Sequence, residues 1–136
     1  FVNPGVLHMS ADAGNRISGF TGSSGERLDN EPPHRIEGAG TIGGNTMQVL
    51  NRGQIVGVHP GVPLILDPRD DVTTTNDGLY AAEFGGTLRL DDGVYENAPG
   101  PENPGFIEVY AGSAVEFGAG CTLMPMTLKS FEGGVF

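Results

Sequence analysis

The run Leu79-Tyr80-Ala81-Ala82-Glu83-Phe84-Gly85-Gly86-Thr87-Leu88-Arg89-Leu90 reads as two short strands about a two-glycine turn. Gly-Gly supplies the positive-φ corner that a tight hairpin needs, and Leu88 and Leu90 share one face against Thr87 and Arg89. Two further stretches have the same form. Thr46 to Leu50 and Gln54 to Val58 flank Asn51-Arg52-Gly53, and Phe106 to Tyr110 and Ala114 to Phe117 flank Ala111-Gly112-Ser113. With shorter runs at Val62–Leu66 and Leu123–Leu128, the pattern predicts about eight strands joined mainly by tight turns. No interval recurs well enough to indicate a solenoid or a propeller. The expected fold is therefore all-β, a β-sandwich or jelly roll, with a small β-barrel as the alternative. One short helix is expected over Ser10–Ile17, with Ser10 as its cap.

Composition agrees with an all-β chain. Glycine accounts for 23 of 136 residues and proline for 10, and there is no tryptophan. That much glycine suits a fold with frequent corners, while the recurring Val, Ile, Leu and Thr runs argue against disorder. The length suits a single domain. Residues 1–33 read as an extended N-terminal arm and loop, 34–130 as the β domain and 131–136 as a C-terminal tail. The chain opens at Phe1 with no visible signal peptide, which implies a removed start or a leader outside the sequence. No apolar run approaches the ~20 residues that span a bilayer.

The formal charge is −10, with 17 acids against seven cations. Such a surface repels nucleic acid and anionic membranes, so neither is an expected partner. Residues 67–108 carry ten acids against Arg69 and Arg89, a net −8 of that −10. Their loops form an acidic rim.

Few side chains group into chemistry. Asp67, Asp70, Asp71 and Asp77 form the one candidate cation loop, but the spacing fails an EF-hand because the twelfth position would be Phe84. A solvated acidic turn is the commoner reading, and no metal is expected. His8, His34 and His59 lack the paired spacing of a metal site, and Cys121 stands alone in an apolar run. Asp91 with Asp92, or Glu83 with Glu108, would serve glycoside hydrolysis only if the fold set them at the right separation. Tyr80, Tyr95 and Tyr110 are the available aromatic platform for a sugar, though each is more often a strand residue at the core margin. No phosphate, nucleotide or thiol motif is present, so neither enzyme activity nor a cofactor is expected.

The two ends are the most suggestive feature. Phe1, Val2, Val6 and Leu7 at one end and Phe131, Val135 and Phe136 at the other place apolar side chains in segments that look extended. Arms of this kind bury their side chains on neighbouring subunits. In size, glycine-rich β pattern, arms and acidity, the whole chain resembles in general type the decoration or cement proteins of tailed-phage capsids, with no motif-level match. The resemblance implies a structural subunit, a homo-oligomer such as a trimer or a subunit bound to other capsid proteins. It also implies a virion-surface or extracellular location. The alternative is a carbohydrate-binding, lectin-like module assisted by calcium in the 67–77 loop.

Overall fold

The computed structural model describes residues 4–20, 25–97 and 105–136. Their sixteen strands wind as a three-sided parallel β-solenoid of about five coils. The first coil holds β1 (Val6–His8), β2 (Arg16–Ser18) and β3 (Arg27–Asn30), and the second β4 (Arg35–Gly38), β5 (Gly40–Gly43) and β6 (Gln48–Asn51). The third holds β7 (Gln54–Gly57), β8 (Leu64–Leu66) and β9 (Thr73–Asn76), and the fourth β10 (Leu79–Ala82), β11 (Thr87–Leu90) and β12 (Gly93–Glu96). The fifth holds β13 (Phe106–Val109), β14 (Ala114–Phe117) and β15 (Cys121–Leu123), after which β16 (Thr127–Ser130) begins a sixth. Each strand pairs in parallel with the strand three places on, giving sheet A (β1-β4-β7-β10-β13-β16), sheet B (β2-β5-β8-β11-β14) and sheet C (β3-β6-β9-β12-β15).

This architecture overturns the sandwich, jelly-roll and barrel expectations. The run that opened the sequence reading shows why. Gly86 N–H does donate to Glu83 C=O at 2.8 Å, closing a tight turn. But β10 pairs with β7 and β13, whereas β11 pairs with β8 and β14. The turn carries the chain around a corner into a different sheet instead of back along the same one. The other two expected hairpins are corners in the same way: β6 and β7 lie in sheets C and A, and β13 and β14 in sheets A and B. The helix expected over Ser10–Ile17 is a turn followed by β2.

Interior rows run the length of the coil. Sheet A contributes Leu7, Ile36, Ile55, Tyr80, Ile107 and Leu128 in register. Sheet B contributes Ile17, Ile42, Leu66, Leu90 and Phe117. These rows meet in one core in which Ile42, Ile55, Leu66, Tyr80, Leu90, Tyr95 and Ile107 are fully buried. Burying each such side chain contributes roughly 1.5–3 kcal/mol.

The corner from sheet C to sheet A is built on asparagine. Asn30, Asn51 and Asn76 are buried at the ends of β3, β6 and β9. Asn30 Nδ2 donates to Asn51 Oδ1 and Asn51 Nδ2 to Asn76 Oδ1, each at 2.8 Å. Asn76 Nδ2 then reaches Phe106 C=O at 3.2 Å and Asn97 Nδ2 reaches Gly105 C=O at 3.0 Å. The bonds from Asn30, Asn51 and Asn76 each satisfy buried polar atoms one coil away, which ties the coils at this edge, while the Asn97 bond closes its own corner. Below the ladder the backbone of Gly78 crosses Gly53, where a Cβ on Gly78 would stand 2.1 Å from Gly53 O. The corner therefore reads Asn-x-Gly in both coils, Asn51-Arg52-Gly53 and Asn76-Asp77-Gly78.

The described part of the expected N-terminal arm supplies β1, β2 and β3. Phe1 and Val2 lie outside the described residues. The expected tail carries the path onward: Val115 N–H donates to Val135 C=O at 2.9 Å and Val135 N–H to Ser113 C=O at 3.1 Å.

Candidate functional site

The outer face of sheet A and its two flanking corners bring Phe84, Phe106, Tyr110 and Phe131 together with a set of charged and amide side chains. Strand alternation turns Arg35, Gln54, Leu79, Phe106 and Thr127 outward in one row, and Glu37, Val56, Ala81, Glu108 and Lys129 in another. Both rows cross strands that stack at about 4.8 Å, so the face is a flat ladder of regularly spaced groups.

Two charge networks cover this ladder. Arg35 donates to Glu37 Oε2 at 2.5 Å through Nε, to Gln54 Oε1 at 3.1 Å through Nη1, and to Glu83 Oε2 at 2.9 Å through Nη2. The guanidinium thus spans from β4 across β7 to the turn after β10. Val56 and Ala81, which point outward on those middle strands, are fully buried. Glu37 also lies 2.9 Å from His8 Nδ1. Partial burial works to raise the Glu37 pKa, but the bonds from Arg35 and His8 outweigh it and hold the carboxyl below its usual range. In the second network Glu108 accepts from the Tyr110 hydroxyl at 2.7 Å and from Lys129 Nζ at 3.3 Å. Lys129 Nζ also sits 3.5 Å from the centroid of the Phe106 ring, a cation–π contact. The bond to Glu108, with some burial, pushes the Tyr110 phenol up to about 12.

A cleft flanks the face on each side. At the corner with sheet C, a space of about 470 Å³ has Leu79, Phe106 and the Pro32-Pro33 pair as apolar surface, with His34, Arg52, Gln54 and Glu108 among its polar groups. At the corner with sheet B, a cup of about 580 Å³ is lined by Glu83, Phe84, Tyr110, Ala111, Phe131 and Glu132. Tyr110 and Phe131 stack with ring centroids 5.0 Å apart and planes at 13°. Phe84 stands 78% exposed on a left-handed backbone, φ 56°, a conformation that bulky residues seldom adopt.

The candidates from the sequence are distributed differently. Asp67, Asp70 and Asp71 lie at the corner from sheet B to sheet C. There Asp70 accepts from Asn45 Nδ2 at 2.9 Å and Asp71 pairs with Arg69. Asp77 stands at the other end of sheet C, 3.7 Å from Arg52 Nε. Among the described residues, no group of three or more His, Cys, Asp or Glu is arranged to hold a metal ion. Burial, then Asp91, Asp70 and Asp92, raise the Asp67 carboxyl above its usual value. His8 and His59, far apart in sequence, meet edge-to-face at 5.9 Å. Cys121 packs partly buried against the core, and burial together with Asp91 and Asp92 pushes its thiol up to about 11.

The tyrosine platform does not form, because Tyr80 and Tyr95 are fully buried and only Tyr110 faces outward. Of the interface candidates, Val6 and Leu7 are exposed on the edge strand β1. Phe131 stacks on Tyr110, Val135 bridges to Ala114, and Phe136 stacks on Phe117 at 6.3 Å. Sequence reasoning missed Arg35, Glu37 and Phe84. The signal for Phe84 was its place beside Gly85-Gly86, where a corner residue held outward serves no core.

None of the protein-family models, curated proteins or solved structures compared with the chain matches it. The capsid terms suggested by general type draw no support from these comparisons.

Proposed function

We propose that the protein is a carbohydrate-binding β-solenoid that lays an extended glycan across the outer face of sheet A. One observation carries the reading: two clefts, each pairing ring or aliphatic surface with hydrogen-bonding side chains, open on either side of the same flat ladder. Sugars present apolar ring faces and hydroxyl edges, so they suit a surface where Phe106, Tyr110 and Phe131 alternate with Gln54, Glu83 and Glu108. Holding is favoured over hydrolysis by the state of the carboxylates. Glu37 and Glu83 are engaged by Arg35, and Glu108 by Tyr110 and Lys129. Calorimetric titration with soluble polysaccharides tests the proposal. Saturable binding that weakens about tenfold in Phe106→Ala supports it; no binding across neutral, acidic and amino polysaccharides contradicts it.

The exposed ends of one interior row favour a second reading, a subunit of an assembly. Leu7 is 51% and Leu128 44% exposed although both lie in register with the buried Ile36 and Ile107. Solenoid ends of this kind are normally capped, and a second copy would cover them. Light scattering that finds a stable oligomer, dissociated by Leu7→Glu, supports this role; a monomer at every concentration contradicts it.

A further inference from the structure

The cup between sheets A and B has a one-sided chemistry. Its walls offer three aromatic rings (Phe84, Tyr110 and Phe131) and two carboxylates (Glu83 and Glu132). No cation lines it. Of the nearby cations, Arg35 is spent on Glu37 and on the rim carboxylate Glu83, and Lys129 is held between Glu108 and the Phe106 ring. The one phenol in the cup donates to Glu108, so it has no proton left to offer. A neutral sugar site needs donors as well as acceptors to satisfy hydroxyls, and this cup presents acceptors and π faces alone. That set complements an ammonium group, which brings donors and positive charge together.

The surroundings act in the same direction. The chain carries −10 overall, a field that concentrates cationic ligands and repels acidic ones. Phe84 and Glu132 hold equivalent places in the corners after β10 and β16, on either side of the corner that carries Ala111, and each is left-handed and followed by a left-handed glycine: Phe84-Gly85 with φ 56° and 78°, and Glu132-Gly133 with φ 48° and 89°. Asparagine is the residue such turns favour. Here those places present a ring and a carboxylate to one cavity, and the exposed Phe84 ring gains no burial in return.

We infer that this cup takes the protonated amine of an amino sugar, so that the ligand on sheet A is a cationic, amine-bearing polysaccharide. This rests on the glycan-binding reading above. The ammonium sits against Glu132 over the aromatic walls, with the Arg35-paired Glu83 at the far rim, and the chain of sugar rings continues onto the Phe106 side of sheet A.

The test is calorimetric titration of the full chain with three probes of equal length: a glucosamine oligomer at a pH where its amines are protonated, its N-acetylated counterpart, and an oligolysine peptide. The expected result is binding of the glucosamine oligomer at least tenfold tighter than the acetylated one. High salt and Glu132→Gln should both narrow that gap. Phe84→Asn, which suits the left-handed turn and so keeps the fold while removing the ring, weakens binding of the amino oligomer. Equal affinity for the two sugars overturns the ammonium site while leaving the glycan reading in place. Failure of both sugars overturns the two together. Oligolysine binding as tightly as the glucosamine oligomer, with the same sensitivity to Glu132→Gln, overturns the sugar as the source of the amine.

Discussion

Asn30 and Asn51, 21 residues apart in sequence, are joined by a buried 2.8 Å bond from one side-chain amide to the next. Asn51 repeats that bond to Asn76 and also donates to Leu79 C=O at 3.1 Å. The middle rung is thus bonded on both sides. Asn51→Ala leaves Asn30 Nδ2 with Gln54 C=O as its remaining partner and strands the Asn76 acceptor in the interior, where an unmet polar group costs about 1–3 kcal/mol. The expected loss is about 3 kcal/mol of unfolding free energy, measured by urea titration.

The glycine beneath the ladder should be as intolerant. A Cβ on Gly78 would meet Gly53 O at 2.1 Å and Arg52 C at 2.7 Å, both backbone atoms that cannot rotate away. Gly78→Ala is expected to cost about 2–3 kcal/mol. Gly25 has nothing within 4 Å of its Cβ position, so Gly25→Ala should leave the thermal midpoint within a degree or two. Thermal melts of the two variants check the contrast.

Two buried tyrosines should behave in opposite ways. The Tyr95 hydroxyl donates toward Leu66 C=O at 2.8 Å and Asp91 C=O at 2.9 Å. The Tyr80 hydroxyl is buried with no partner among the described residues, as is Thr74 Oγ1. Tyr95→Phe should cost about 1–2 kcal/mol, while Tyr80→Phe should be neutral or stabilising and Thr74→Val should add about 1 kcal/mol. Chemical denaturation of the three variants separates these outcomes.

Asp67 provides a pH signature. Its folded pKa lies above the ordinary aspartate value, so ionising it costs the folded state more than the unfolded one. The favourable contribution is present below the unfolded pKa and is lost as pH rises through the folded pKa. Asp67→Asn should therefore raise the melting temperature at pH 7. The gain should shrink as the pH falls towards and below the ordinary aspartate value. A gain that is constant with pH would contradict the assignment.

Much of this was legible in the residues, though not the winding. The strand segments and corners were readable because short β-branched runs and glycine turns are local signals. Whether a turn reverses the chain within a sheet or carries it into another depends on which strands lie above and below, and Gly85-Gly86 is equally suited to both. The coil length also varies: the ladder asparagines at 30, 51, 76 and 97 stand 21, 25 and 21 residues apart, and that variation hides a fixed period. The Asn-x-Gly corners at 51–53 and 76–78 recur with the coil, but two copies 25 residues apart were too few to be read as a repeat. The site was less legible still. Arg35 and Glu83 are 48 residues apart, and only coil stacking brings them together. Tyr110 and Phe131 likewise share the cup because they occupy the same corner of consecutive coils.

The claim that sheet A holds the ligand is tested most directly by backbone amide chemical-shift mapping during titration with the glucosamine oligomer. The account predicts shifts concentrated on the outward residues of β7, β10, β13 and β16 and on Glu83, Phe84, Tyr110, Phe131 and Glu132, with sheets B and C unchanged. Shifts centred on the Asp67–Asp71 corner or spread evenly over the three faces would contradict it.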